Sequence, residues 1–193
     1  MTTPLRIGLI QGSIRDARFN DTIAGWAARR LEGQGFSLRR IDPREPDLLP
    51  LQTGDAAAAA RLREKLSGLD GFVVVTPEYN HAAPGPLKTL IDAASAEWQA
   101  RPVGLISYGG ISGGLRASET LRPVFAELHA MTLRDTVSFA LPFDRFGEDG
   151  EMKSADEAAR ADVAMATFGA SLAWWAGALR AARERRPYEK RAA

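Results

Sequence analysis

Three short stretches hold the residue types best suited to chemistry: Gly12 to Asn20 (GSIRDARFN), Thr76 to Pro86 (TPEYNHAAPGP) and Ser107 to Gly114 (SYGGISGG). The first follows an apolar run and precedes a helical pattern. A helix start offers free N–H groups and a partial positive charge, so the Ser13 hydroxyl, the Asn20 amide and a guanidinium from Arg15 or Arg18 could together hold a phosphate. The same residues also suit a capped helix with two exposed arginines, and the pattern alone weighs the two equally. Neither GxxxxGK[ST] nor GxGxxG occurs there, which removes the fingerprints of nucleoside triphosphate and dinucleotide sites. In the second stretch three prolines and a glycine stiffen the backbone, lowering the entropy lost when main-chain groups hold a ligand. Pro77 begins it, Tyr79 offers an aromatic edge and Asn80 a donor and an acceptor, the complement of a flat heterocycle with a polar rim. Glu78 is expected to orient neighbouring backbone, and His81 to sit at the surface. The third stretch has four glycines in eight residues, so Ser107, Gly109 and Gly110 could let backbone approach a planar ligand closely.

Composition limits what such loops can do. The chain has 193 residues, no cysteine and two histidines, which excludes disulfide scaffolds, thiolate metal sites and cysteine nucleophiles, and leaves transition metals short of ligands. The balance of 25 basic and 24 acidic residues gives no global field for nucleic acid, so any charge-driven binding is local. The run Ile7 to Ile10 is too short for a signal peptide's apolar core, and no stretch approaches the roughly 20 apolar residues that cross a bilayer. A soluble, cytoplasmic protein without membrane insertion is expected.

The elements positioning the three loops alternate. Arg6 to Gln11 reads as a strand, followed by a helix with Asn20 as N-cap and Ile23, Ala27 and Leu31 on one face. Phe36 to Ile41 is a second strand, and a proline-punctuated loop leads to a helix from Ala56 to Leu66. The β-branched run Asp70 to Thr76 predicts a central strand covered on both faces. Leu87, Leu90, Ile91 and Ala94 mark a third helix, Pro102 to Ser107 a fourth strand, Leu115 to Ala130 a helix kinked at Pro123, and Leu133 to Leu141 a fifth strand. Ser154 opens the last helix in a capping-box pattern, with Met165, Phe168, Leu172 and Trp175 along its apolar stripe. Five strands alternating with five helices predict a doubly wound α/β fold with a parallel sheet and helices on both faces. Residues 1–181 form one domain, and 182–193 a basic tail; from Arg180 to Arg191 eight charges predict a solvated or disordered end. Ligands of such sheets lie beyond the carboxyl ends of the strands, where all three loops fall.

Taken together, Gly12-Ser-x-Arg with Asn20, the stretch Thr76-Pro-Glu-Tyr-Asn80 with Pro84-Gly-x-Leu-Lys88 and Ile91-Asp92, and the glycine loop to Arg116 resemble the NAD(P)H-dependent FMN reductases. These flavodoxin-like flavoproteins include quinone, chromate and azo-dye reductases. The resemblance spans Leu5 to Leu141 and implies a five-stranded flavodoxin-like sheet. It implies FMN as cofactor, its phosphate held by Ser13, Arg15, Arg18 and Asn20, Pro77 to Asn80 along the isoalloxazine ring, and Ser107, Gly109 and Gly110 near the pyrimidine side. Arg18 stands where many members have serine, and His81 where an aromatic residue is common. The resemblance further implies NADPH or NADH as hydride donor and a small-molecule electron acceptor: a quinone, flavin, azo compound or metal oxyanion. It also implies a homodimer or homotetramer, for which Trp98, Trp174 and Trp175 offer more aromatic surface than one sheet's outer helices usually require; Trp175, on the apolar stripe, is expected in the core, and Trp174, off it, at the surface or in an oligomer contact. The cofactor carries the redox chemistry, so no catalytic side chain is assigned. The competing reading is an FMN electron carrier that does not oxidise NAD(P)H, although such carriers are usually acidic. A signalling receiver lacks its acidic cluster here, and a hydrolase its Gly-x-Ser-x-Gly.

Overall fold

A computed structural model describes residues 3–189. Strands β1 (Arg6–Gln11), β2 (Ser37–Ile41), β3 (Gly71–Pro77), β4 (Pro102–Gly109) and β5 (Met131–Ala140) form one sheet in the order β2-β1-β3-β4-β5. Every neighbouring pair is parallel, the flavodoxin-like winding in which the order reverses between β1 and β3. Helices α1 (Asn20–Gly33), α2 (Ala56–Leu66), α3 (Gly85–Asp92), α4 (Leu115–Glu127) and α5 (Ala155–Arg185) make the crossovers and close the chain.

Alternating strand side chains divide the core in two. Ile7, Leu9, Val73 and Val75 join Ile23, Ala27 and Leu31 of α1 and Met165, Phe168 and Leu172 of α5 on one face. Ile10, Phe72 and Val74 meet α2, α3 and α4 on the other through Leu62, Leu90 and Phe125. Gly104 sets the docking of α5: a Cβ there would lie 2.3 Å from Phe168 Cζ, so only glycine leaves the phenyl ring room against β4.

Several expectations need correction. Asn20 is the first residue of α1 and not its cap; Phe19 holds the N-cap position and supplies no side-chain bond. Trp98 is no interface residue. It is fully buried, donates its indole N–H to Ile91 O and Ala94 O, and packs edge-on against Phe72 and Phe125. Trp175 is not core: the buried row of α5 runs through Met165, Phe168, Leu172 and Ala176, which turns Trp175 outward to 38% exposure beside Trp174 at 64%. The Ser154 cap does form, accepting from Glu157 N–H.

The expected solvated end is also partly tied down. Helix α5 continues to Arg185, Arg180 and Arg183 face Asp70, and Arg183 donates to Ala100 O at 2.6 Å. Tyr188 Oη lies 2.6 Å from His129 Nδ1. Residues 190–193 of that expected tail lie outside the described residues.

Candidate functional site

The loops after β1, β3 and β4 meet beyond the carboxyl ends of their strands. Between them lies a cavity of about 450 Å³, lined among others by Arg15, Arg18, Pro77, Glu78, Tyr79, Gly109 and Gly110, within the size range of small-molecule sites.

The β1 loop is pinned to the β3 loop. Ser13, fully buried, shares a 2.9 Å hydrogen bond with the Tyr79 hydroxyl. The Arg15 guanidinium lies over the Tyr79 ring, 3.9 Å from its centroid, a cation–π contact that holds the charge at the cavity's edge without neutralising it. Helix α1 starts uncapped beside Phe19 and Thr22 of the cavity wall, so its first N–H groups are open donors.

Arg18 behaves differently. Its side chain is 4% exposed, and its nitrogens donate to Asp21, Asp42 and the Ser13 carbonyl. Burial pulls the Arg18 pKa down, but the bonds and charges of Asp42 and Asp21 outweigh it and raise it. The same pairing, against the opposing pull of burial, lowers the pKa of Asp42. Arg18 therefore brings no free charge to the cavity; it clamps the β1 loop to the end of β2. Asn20 is also turned away: fully buried, it donates to Val75 O at 2.9 Å and braces α1 against β3.

The β3 loop contains a tight reversal. Tyr79 and Ala82 exchange backbone hydrogen bonds around Asn80 and His81, both left-handed at φ 50° and 69°, the conformation of a primed two-residue turn. Asn80 is consequently an exposed turn residue outside the cavity lining. Glu78 does orient backbone: its carboxylate accepts from Arg116 N–H at 3.1 Å and from the Arg116 guanidinium at 2.9 Å. Burial raises the Glu78 pKa, but bonds from Ser112 and Arg116 prevail and lower it. That contact ties the β3 loop to the start of α4.

Ser107 serves the glycine loop rather than the cavity, donating to Gly113 O at 2.9 Å. Gly114 sits at φ 83°, where a Cβ would meet Tyr108 N at 2.7 Å, so the loop's return to α4 demands glycine twice over.

Sequence reasoning missed an aromatic wall. Phe19, Tyr108 and Phe143 line the cavity, Phe19 meeting Phe143 edge-on at 5.3 Å and Tyr108 at 6.0 Å. Burial pushes the Tyr108 phenol well above its ordinary range and keeps it protonated. Phe143 comes from the loop after β5, a fourth contributor whose one signal is an aromatic residue just past a strand end. Around the mouth, Ile111, Leu115, Leu141 and Phe143 are exposed by 91, 48, 58 and 54%.

These residues fit a ligand with an anionic end and a flat body. The donor set is an unneutralised guanidinium and open helix N–H groups, which suits a phosphate. The body would lie against the Pro77 to Tyr79 backbone and Gly109 to Gly110, where a Cβ on Gly110 would touch nothing within 4 Å.

Residues 5–144 match the family described as NADPH-dependent FMN reductase. The chain is 32% identical over 151 residues to an NAD(P)H-dependent FMN reductase of Schizosaccharomyces pombe, covering 72% of this chain and 75% of the relative. It is 29% identical over 147 residues to a quinone reductase of Pseudomonas putida, covering 69% and 77%. Among solved structures, the flavoenzyme NAD(P)H:(acceptor) oxidoreductase FerB of Paracoccus denitrificans superposes with a TM-score of 0.71 at 18% identity, covering 88% of this chain and 98% of that one.

Proposed function

The chain belongs to the NADPH-dependent FMN reductase family and is an FMN-dependent NAD(P)H oxidoreductase; from that premise we propose which residues serve the reaction and which acceptors it reduces. The observation that carries the proposal is the cavity itself, with Arg15 and the open start of α1 at one side and flat backbone with an aromatic wall at the other. As a family member the chain oxidises NAD(P)H directly, so the electron-carrier alternative is set aside.

Arg15 and the N–H groups opening α1 hold the FMN phosphate, with Ser13 fixing Tyr79 beneath Arg15. Arg18 and Asn20 act behind them, as clamp and brace, in place of the direct contacts the family resemblance implied. Pro77 to Tyr79 and Gly109 to Gly110 flank the flavin ring, held at their separation by Glu78 through Arg116. FMN held there would supply hydride-transfer chemistry between a reduced nicotinamide and a second substrate. The protein's part is distance and orientation, and we assign no catalytic acid or base.

For the acceptor, Phe19, Tyr108 and Phe143 with exposed Ile111 and Leu141 favour a planar, weakly polar quinone over a hydrated metal oxyanion, whose desolvation on an apolar rim is unfavourable. Flavins and azo compounds share the planar character. We further take the protein to be cytoplasmic, where reduced nicotinamide is supplied, and a homodimer or homotetramer, since Ile111, Leu115, Leu141 and Phe143 leave exposed apolar surface at the mouth, the kind of surface that marks interaction sites when it is contiguous. Among the described residues no helix is long and apolar enough to cross a membrane. One domain over residues 1–181 is our reading of the organisation.

Anaerobic NADPH titration of the FMN-loaded protein tests the core of this: bleaching of the flavin band followed by reoxidation with a benzoquinone is expected. A flavin that stays oxidised through the titration would sink it, and a kcat/KM for chromate equal to that for the quinone would remove the acceptor assignment.

A further inference from the structure

Helix α5 carries no charged residue from Val163 to Leu179, seventeen positions, yet only one side of that stretch is buried. Its outward side exposes Val163 by 69%, Trp174 by 64% and Trp175 by 38%. A helix apolar all round is a buried helix, and nothing among the described residues buries this side.

The ends of that side suggest its occupant. Steps of three and four from Trp174 lead back through Thr167 and Val163 to Arg160 and Asp156, and forward through Ala178 and Ala181 to Arg185, a single row down the helix. Glu157, Asp162 and Arg180 are paired inside the chain with Arg145, Arg30 and Asp70. Asp156 and Arg185, both exposed, make no ion pair among the described residues. The row thus ends in a free acid at one side and a free base at the other.

We propose that this face of α5 binds a second copy of the same chain, the two helices antiparallel about an axis passing between Ala170 and Ser171. Two-fold symmetry makes every contact reciprocal. That axis sets Asp156 against Arg185 of the partner subunit, Trp174 against Thr167 of the partner subunit, and Val163 against Ala178 of the partner subunit. Opposite charges meet at both ends, and each large side chain meets a small one, which lets the helices approach closely. Arg160 falls opposite the partner's Ala181 and keeps its head in water along its flexible stem. No residue of α5 lines the cavity, so this face is an interface distinct from any contact made at the site mouth. The inference rests on the homo-oligomer reading above.

Sedimentation analysis of the FMN-loaded protein decides it. Trp174→Glu is expected to halve the particle mass with flavin content and visible spectrum retained. Asp156→Arg and Arg185→Asp are each expected to raise the subunit dissociation constant at least tenfold, and the double variant to restore it. A wild-type monomer would overturn both this inference and the homo-oligomer reading. An oligomer whose mass is unchanged by Trp174→Glu overturns this inference alone. Should Trp174→Glu lose its flavin or its helical circular dichroism, the charge exchange decides: rescue in the double variant supports the antiparallel pairing, and two single variants without effect, or a double variant no better than either, overturn it.

Discussion

The two ends of the sheet use arginine in opposite ways. At the amino ends of the strands, Asp70 is nearly buried, accepts from Arg6 N–H at 2.9 Å, and faces Arg180 at 3.4 Å and Arg183 at 3.7 Å. Those charges answer one another and lock the end of α5 to the sheet. At the carboxyl ends, Arg18 is answered by Asp21 and Asp42, whereas Arg15 lies over an aromatic ring and pairs with no carboxylate among the described residues. What separates a structural arginine from a binding one here is the presence of an acid within reach; distance along the chain does not, since Arg15 and Arg18 are three residues apart.

Substitutions at each end should therefore move different observables. Asp70→Ala leaves the partly buried Arg183 without a paired carboxylate among the described residues and Arg180 with only Glu184 at 3.9 Å, and is expected to cost about 3 kcal/mol of unfolding free energy, the lower bound for breaking a buried pair because both partners keep some solvent. FMN affinity should hold; a denaturant midpoint equal to wild type would show that the amino-end network carries no stability. Arg15→Ala should do the reverse, weakening FMN binding by about 1.5–3 kcal/mol, the range for a bond to a charged group, with an unchanged denaturation curve. Fluorescence titration of free FMN measures it, and wild-type affinity would place the phosphate elsewhere.

The Arg18 clamp should show itself in acid. Because the folded-state pKa of Asp42 is lowered, its contribution is present above the unfolded aspartate value near 3.9 and is lost as pH falls through the lower folded value. Wild-type stability should accordingly decline below about pH 4, and Asp42→Asn should flatten that decline; parallel acid limbs in the two proteins would contradict it. The smallest effect is expected in the turn of the β3 loop. His81 at φ 69° occupies a region that glycine enters freely, so His81→Gly should stabilise by up to about 1 kcal/mol, read as a small upward shift of the thermal midpoint with flavin affinity retained. A lower midpoint would mean that the imidazole has a contact of its own worth more than the relieved strain.

Much of this was legible in the chain. The run Phe72 to Val75 could only be a doubly covered strand, and the alternation of strands with helices left one sheet architecture and one edge for the site. What escaped reading depended on partners far away in sequence. Arg18 looks like a phosphate ligand until the fold brings Asp42 to it. Asn20 looks like a cap until Val75 O comes within its reach. Phe143 follows the fifth strand, outside the three loops whose residue types advertise chemistry, and joins the wall only because β5 lies beside β4. Trp98 and Trp175 exchanged roles for a related reason: nearly uniform apolarity along α5 hides which side is buried, and the indole of Trp98 finds its hydrogen bonds only once Ile91 and Ala94 turn their carbonyls inward.

The missing Cβ of Gly104 reaches further than the packing of one ring. By admitting Phe168 against β4, it fixes the angle to which α5 is rotated about its own axis, and so decides which of the helix's residues look outward. The protein's outer identity on that side, including any surface by which one copy distinguishes another, is thus written partly in the middle of the sheet. A change at position 104 would be read first as a core defect, yet it would also redirect the tryptophans some distance away, making recognition and stability inherit from the same residue.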